Sequence, residues 1–287
     1  MKNNFVKYFI LAVFAAIFSG ICPYVMSQNS AGPMKLVYNY PADRAVSYLA
    51  RTTMAQIIDI QGQTMQTDVV SAFGFTIKAT GKQDDNLKLA ITVDTLGQTT
   101  NSPMGNSGGA MAGVMGKTFN IIISPEGKAI DISEAAGLVY SIEGSGESNL
   151  SQSVSDLFPL LPSKPVSMGD VWNLTDSIAT QSSVMTMKVI DNTINKLEGF
   201  EKADGIECAR ISSQHSGMWT MAIQSQGMDI FIKGPYTGTS ECLFALKEGY
   251  FIRNTGSTKM TGELEITSQG MSMPIVIEMN SVSEVKK

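Results

Sequence analysis

The sequence predicts a mainly β protein, with long antiparallel strands in one or two curved sheets of open-barrel or sandwich-like form. Three observations predict it: a two-residue alternation of apolar and polar side chains, regularly spaced turn residues, and helix signals confined to one or two short helices in the middle of the chain. The composition agrees, because 43% hydrophobic and 16% charged residues describe neither a disordered chain nor a coiled coil.

Alternation of apolar and polar residues marks strands in both halves of the chain. Apolar side chains recur at every second position in 69–79, 87–93, 260–266 and 273–279, with Lys, Thr and Glu between many of them. Such alternation is typical of antiparallel strands that bury one face. Turn residues separate these runs, and they lie at Gln61-Gly62, Gly81 to Asn86, Pro125 to Gly127, Asp204-Gly205, Glu248-Gly249 and Gln269-Gly270.

Two short helices are predicted between the strand-rich halves. Ser133 is the expected N-cap of a helix over Glu134–Ile142, and Asn149 of a second helix that Pro159 ends. A proline-rich stretch, 161–165, follows the second helix. We place a boundary there, between an N-terminal β half (28–165) and a C-terminal β half (166–287), although both halves can share one sheet.

The first 27 residues are predicted to be a signal peptide. Lys2 and Lys7 precede an apolar run, Tyr8–Ile21, that is too short to span a membrane. Cleavage is expected after Ser27. In the alternative, lipoprotein processing would acylate Cys22. No second long apolar run follows, so the expected mature chain has no transmembrane segment and is periplasmic or extracellular, with outer-membrane association left open.

After cleavage at Ser27, two cysteines remain, Cys208 and Cys242. Both lie in alternating apolar segments, and an exported protein can join them as a disulfide. Two buried free thiols are the alternative.

Four segments combine turn and strand-entry residues: Gly116-Lys117-Thr118-Phe119, Ser124-Pro125-Glu126-Gly127-Lys128, Leu161 to Val166, and Gly169-Asp170-Val171-Trp172. They resemble motifs of a family of uncharacterised exported β-rich proteins of Gram-negative bacteria, classed as a domain of unknown function. The resemblance implies an exported location and a β-rich fold, and it carries no activity to transfer.

Composition and motif spacing argue against several function classes. The chain has 21 basic and 26 acidic residues, a formal charge of −5, and so lacks the basic excess that nucleic-acid binding requires. Residues 113–118 resemble a phosphate-binding loop. However, a strand rather than a helix is predicted to follow, which argues against nucleotide binding. One histidine and two distant cysteines provide no zinc-ligand spacing, and no cofactor is predicted.

Two chemical alternatives stay open. Ser107 lies in Gly105-Asn106-Ser107-Gly108-Gly109, which resembles a serine-hydrolase nucleophile motif, with Asp170 and His215 as candidate partners. However, the predicted surroundings are a glycine- and methionine-rich loop over 101–116. The second alternative is a Cu(I) site, since thioethers bind Cu(I). Its candidate ligands are His215, Trp219, Met221, Met185 and Met187.

The favoured interpretation is a non-enzymatic exported protein. One-sided strands must cover their apolar face with another sheet, with helices, or with a ligand. We therefore expect the partner to be a hydrophobic, lipid-like small molecule if the interior is partly open, or a protein if it is closed.

Overall fold

The computed structural model describes residues 32–60, 62–103, 105–111, 113–142, 146–155, 157–181, 185–225 and 228–286. Residues Pro33–Lys287 form one compact unit. The predicted signal peptide and Cys22 lie outside the described residues.

The strands are long and account for most of the described chain. They are β1 (Val46–Ile60), β2 (Gln63–Gln83), β3 (Asn86–Ser102), β4 (Gly105–Ala110), β5 (Thr118–Ile123), β6 (Ala129–Asp131), β7 (Val139–Ile142), β8 (Gly146–Asn149), β9 (Val171–Gln181), β10 (Met185–Ala203), β11 (Ile206–Ser225), β12 (Met228–Ala245), β13 (Tyr250–Ile266) and β14 (Met271–Val285). The helices are α1 (Ser133–Ala136) and α2 (Ser151–Ser155), with a 3-10 turn, η1 (Thr267–Gln269). Neither described helix is long and apolar enough to cross a membrane.

Twelve of the described strands form a single antiparallel sheet, which confirms the predicted fold class. Its order is β6-β5-β3-β2-β1-β14-β13-β12-β11-β10-β9, with β4 paired to the end of β3, and β7 and β8 form a separate small sheet. The large sheet is curved and open. Strands from both sides of the proline-rich segment belong to it, because β1 pairs with β14 from Tyr48 opposite Val285 to Ile58 opposite Ile275.

The turns between these strands lie at the predicted positions. Asp84 and Asp204 adopt left-handed backbone angles, with φ of 53° and 52°, at two of them. Aspartate tolerates this conformation better than most side chains do. The predicted turns therefore set where the long hairpins reverse.

The sheet has one largely apolar face and one polar face, which we call the inner and outer faces. On the outer face, ion pairs link neighbouring strands, including Lys259–Glu278 at 2.8 Å and Lys233–Glu265 at 3.3 Å. These exposed pairs add little stability. They do show which side of each strand faces water.

A plug of irregular chain covers one end of the inner face. We define the plug as residues 33–40, 150–155 and 157–161. Its Tyr38 ring meets Phe158 and the strand residue Phe244 edge-on, at centroid distances of 5.6 and 5.3 Å. The Tyr38 hydroxyl donates to the Pro159 carbonyl oxygen at 2.8 Å. The plug thus joins the N-terminal segment to the helical region over the largest apolar cluster.

The helices are shorter than predicted. α1 ends at Ala136, and Val139–Ile142 forms β7, so the predicted helix over Glu134–Ile142 is wrong for its second half. Gly137 and the β-branched Val139 oppose helix continuation. The predicted N-cap, Ser133, is not the acceptor at the start of this helix. Instead, Asp131 Oδ1 accepts a hydrogen bond from the Ser133 amide. Asn149 acts as predicted, because its Oδ1 accepts from the Ser151 amide at 3.0 Å.

The segment predicted as a glycine- and methionine-rich loop also differs. Its described first part contains the end of β3 and the strand β4, which pair from Gly97 opposite Ala110 to Ser102 opposite Gly105. Glycine has low strand propensity, but the edge of β3 offers partners for its backbone groups. Pairing with that edge outweighs the local preference.

Candidate ligand-binding cleft

A belt of polar side chains crosses the inner face between two apolar clusters. One cluster lies under the plug, and the other contains Ile232, Tyr236, Met260, Leu264, Met273, Ile275 and Ile277. Strand register places the belt on β9 to β13, where each member faces inward beside its cross-strand neighbours. We define the polar belt as Asp176, Asp191, Thr193, Asn195, Ser213, His215, Ser240 and Asn254.

A cleft of about 470 Å³ lies between the plug and the polar belt. Its apolar walls include Ile132, Phe158, Leu161, Leu174 and Ile211, and the whole belt lines it. This volume falls in the usual range for small-molecule sites, which combine apolar walls with a few polar groups. The cleft has that combination.

Three belt residues on neighbouring strands form a continuous hydrogen-bonded array. His215 Nδ1 lies 2.9 Å from Asp191 Oδ2, and His215 Nε2 lies 2.9 Å from Ser240 Oγ. An ionised carboxylate only accepts, so Nδ1 carries the proton that it donates to Asp191. Nε2, when it carries no proton, can accept from the Ser240 hydroxyl. The array has the order and polarity of a serine–histidine–aspartate relay.

The Asp191 carboxylate is held in its ionised form. Burial raises its pKa, but hydrogen bonds from His215, Tyr236 and Thr193 outweigh burial and hold the pKa below its ordinary value. The Thr193 hydroxyl donates to Oδ2 at 2.9 Å. These contacts fix the carboxylate that orients the imidazole.

A second polar pair stabilises the adjoining part of the belt. Ser213 donates to Asn195 Oδ1 at 2.7 Å, and Asn195 Nδ2 is 3.5 Å from the Trp172 carbonyl oxygen. Asn195 is 4% exposed, so its amide depends on these partners for hydrogen bonding. Because Ser213 bonds Asn195, Ser240 is the serine of the belt that bonds His215.

Two indole N–H groups on the inner face lack hydrogen-bond partners within the described residues. They belong to Trp172 on β9 and Trp219 on β11, and both nitrogens are buried. An unsatisfied buried donor costs about 1–3 kcal/mol.

The proposed copper ligands share the inner face but do not converge. Met187 lies opposite Met221, Met185 lies opposite Ile223, and Trp219 lies opposite Val189. His215 is six residues from Met221 on the same strand, a separation of about 20 Å at ~3.3 Å per residue. One ion cannot contact both. Within the described ranges, no group of three or more His, Cys, Asp or Glu side chains could hold a metal.

Cys208 and Cys242 are buried free thiols in the structure, not a disulfide. Cys242 lies opposite Ile211, and Cys208 lies opposite Ala245. Because Cys208 and Ile211 are an odd number of residues apart on β11, the two thiols lie on opposite faces of the sheet. This register, which the local alternation does not reveal, keeps the sulfur atoms apart.

Ser107 is exposed on β4 and does not line the cleft. His215 bonds Asp191 and Ser240 instead, and the other candidate partner, Asp170, accepts from the Ser167 amide at 2.8 Å in a turn. The structure therefore does not assemble the predicted Ser107, Asp170 and His215 set. Asp191 and Ser240 were not predicted as site residues, because neither lies in a sequence motif.

Comparisons with known proteins do not assign a family. No family model matches the chain, and no curated protein matches it. Among solved structures, it is similar to DynF from the dynemicin biosynthesis pathway of Micromonospora chersina, with 6% identity, 88% of this chain and 85% of that chain covered, and a TM-score of 0.26. It is also similar to Pseudomonas aeruginosa OccK2 (OpdF) in complex with glucuronate, with 7% identity and a TM-score of 0.26. That match covers 87% of this chain and 100% of the OccK2 chain. A third similar structure is a DUF1329 family protein from Desulfovibrio piger, with 12% identity and a TM-score of 0.15. That match covers 83% of this chain and 85% of the other. Similarities this low do not assign a function.

Proposed function

We propose that this protein binds an uncharged amphipathic molecule in the cleft between the plug and the polar belt. The observation that carries the proposal is the mixed lining of the cleft, which combines apolar side chains from the plug and the sheet with the hydrogen-bonding groups of the polar belt. A ligand with a hydrocarbon part and a polar, uncharged head matches both sides. The protein is proposed to act in the cell envelope or outside the cell, in agreement with the predicted signal peptide.

The charges of the cleft favour an uncharged ligand over a free carboxylate. Asp176 and Asp191 are direct cross-strand neighbours and both line the cleft, whereas Lys128 is the basic residue in its described lining. Two carboxylates this close repel a third anion. An alcohol, amide or ester head can instead donate to or accept from the belt.

Methionines give the far part of the inner face an adaptable apolar surface. Met260 and Met273 belong to the second cluster, and Met54 and Met221 pack against it. Flexible thioether side chains accommodate ligands of different shapes. We propose that a longer hydrocarbon tail would extend from the cleft toward this cluster.

Binding of the neutral fluorophore N-phenyl-1-naphthylamine tests the proposal. The wild-type chain should increase its fluorescence saturably, and Leu174→Asp should weaken the affinity at least tenfold, because it places a charge on the apolar wall. Leu174 faces the cleft, whereas its neighbour Asn173 is exposed on the outer face. Asn173→Asp is therefore the matched control and should bind like wild type. Absence of wild-type binding, or equal affinities for both variants, would contradict the proposal.

A further inference from the structure

We infer that Ser240, His215 and Asp191 form a hydrolytic site for a carboxylic ester, with Ser240 as the nucleophile. The inference rests on the proposed function, since the ester must enter the same cleft. It differs from the expectation of a non-enzymatic protein, and it uses a different serine from the motif residue Ser107.

The first argument is the geometry of the array. The hydrogen bonds of His215 to Asp191 and to Ser240 are each 2.9 Å long, and they connect β10, β11 and β12 in a diagonal line. A nucleophile bonded to a base, with the base oriented by a third group, is the arrangement that activates serine. His215 and Asp191 are only partly exposed, with 25% and 21% of their side-chain surface accessible, and all three residues line the cleft.

Glycine makes room for the array at one strand position. Gly217 lies opposite Asp191 on β11, and a Cβ there would lie 2.9 Å from Tyr236 Cε1 and overlap the Ile190 carbonyl oxygen. The missing side chain lets the Tyr236 ring approach Asp191, whose carboxylate it hydrogen-bonds. Asp191 thus acts as a positioning residue that is itself held in place.

The oxyanion must be stabilised by a side chain. Ser240 lies on a central strand, opposite Ser213 on β11 and Gly256 on β13, so backbone N–H groups near it are used within the sheet. Asn254 faces the cleft two residues from Gly256 on β13. Gly256, opposite Ser240, has no side chain, and the Asn254 amide is the donor that we assign to the oxyanion.

The reaction requires only the ester and water. Ser240 Oγ attacks the ester carbonyl carbon and forms a new C–O bond, while His215 Nε2 takes the hydroxyl proton. Collapse of the intermediate breaks the bond to the alcohol, which leaves with that proton. Water then attacks the acyl-serine with His215 as base, and the carboxylic acid leaves as Ser240 regains its proton. The carboxylate product faces Asp176 and Asp191, so the charges that disfavour its binding favour its release.

Active-site labelling with an alkyl fluorophosphonate tests the nucleophile directly. Peptide mass spectrometry should locate the adduct on Ser240, and Ser240→Ala should abolish labelling. Ser107→Ala is the control that should retain labelling, because Ser107 is exposed on β4 and does not line the cleft.

Steady-state hydrolysis of p-nitrophenyl butyrate tests the roles of the other residues. Asp191→Asn should lower kcat about 10⁴-fold, as expected for loss of the correct histidine tautomer, with KM changed less than threefold. A purely structural role would instead change KM and folding together. Asn254→Ala should lower kcat about 10²-fold.

The outcomes separate the two proposals. Saturable binding of N-phenyl-1-naphthylamine without Ser240 labelling or ester turnover would overturn the hydrolytic site and leave the binding proposal standing. Failure of the wild-type chain to bind the fluorophore would overturn the proposed function. Labelling that survives Ser240→Ala would also overturn the assignment of Ser240.

Discussion

At the scale of single residues, three tyrosines place polar hydroxyl groups in the apolar core. Tyr38 and Tyr40 of the plug and Tyr48 of β1 are each at most 3% exposed. Tyr48 donates to the Phe251 carbonyl oxygen at 2.9 Å, and its oxygen is 3.0 Å from that of Tyr40. Each hydroxyl replaces water with a protein partner, as a buried polar group must.

These tyrosines predict a specific response to alkaline pH. Burial raises the pKa of Tyr38, Tyr40 and Tyr48 well above the ordinary value. Their neutral forms thus contribute stability that is complete below the unfolded pKa of about 10 and is lost as pH rises toward the folded pKa. Absorbance at 295 nm should therefore show part of the tyrosine signal ionising only when the circular dichroism signal is lost.

Tyr48→Phe provides the control for this titration. It should reduce the late-ionising signal by the contribution of one tyrosine, since burial raises the pKa of Tyr48. Ionisation of the whole tyrosine signal near pH ~10 with an unchanged circular dichroism spectrum would contradict the buried placement.

At the scale of strands, the local pattern predicts elements, while register determines which side chains meet. The alternating runs and turn residues predict the long hairpins because both signals are local. The array could not be predicted, because its two hydrogen bonds join residues 24 and 25 positions apart on paired strands. A shift of one residue in either pairing would send a side chain to the other face. The same reasoning explains why the alternation around Cys208 and Cys242 did not distinguish a disulfide from two free thiols.

Helix length was mispredicted for a related reason. The stretch after Ser133 has helical residues at its start, but Val139–Ile142 pairs with Gly146–Asn149 as a small sheet. Strand pairing between segments close in sequence outweighed weak helix propensity. Isolated helices as short as α1 and α2 are marginal, so packing of Ala135 and Val154 in the core maintains them.

Gly217 provides the test at this scale. Gly217→Ala should lower the free energy of unfolding by about 1–3 kcal/mol, because the new methyl group overlaps the Ile190 carbonyl oxygen and contacts the Tyr236 ring. Gly109→Ala on β4 is the matched control, since a Cβ there meets nothing within 4 Å, and its effect should stay within about 0.5 kcal/mol. Urea denaturation measures both. Equal stabilities of the two variants would show that β10 and β11 are not packed as described.

At the scale of the whole molecule, a single curved sheet is covered at one end by the plug, and the cleft lies where that cover meets the polar belt. A one-sided sheet buries its apolar face by curvature and by the segments that pack on it. The sequence left open whether the interior is partly open or closed, because the position of the plug is not specified by the proline-rich sequence alone. We expect a ligand to bind at that junction.

Native mass spectrometry of the protein, purified from its own cells without detergent, measures directly whether a ligand occupies the cleft. Wild-type protein should carry a non-covalent mass excess that disappears under denaturing conditions, and Leu174→Asp should carry far less of it. A wild-type native mass equal to that of the polypeptide alone, in repeated preparations, would show that the cleft holds no ligand.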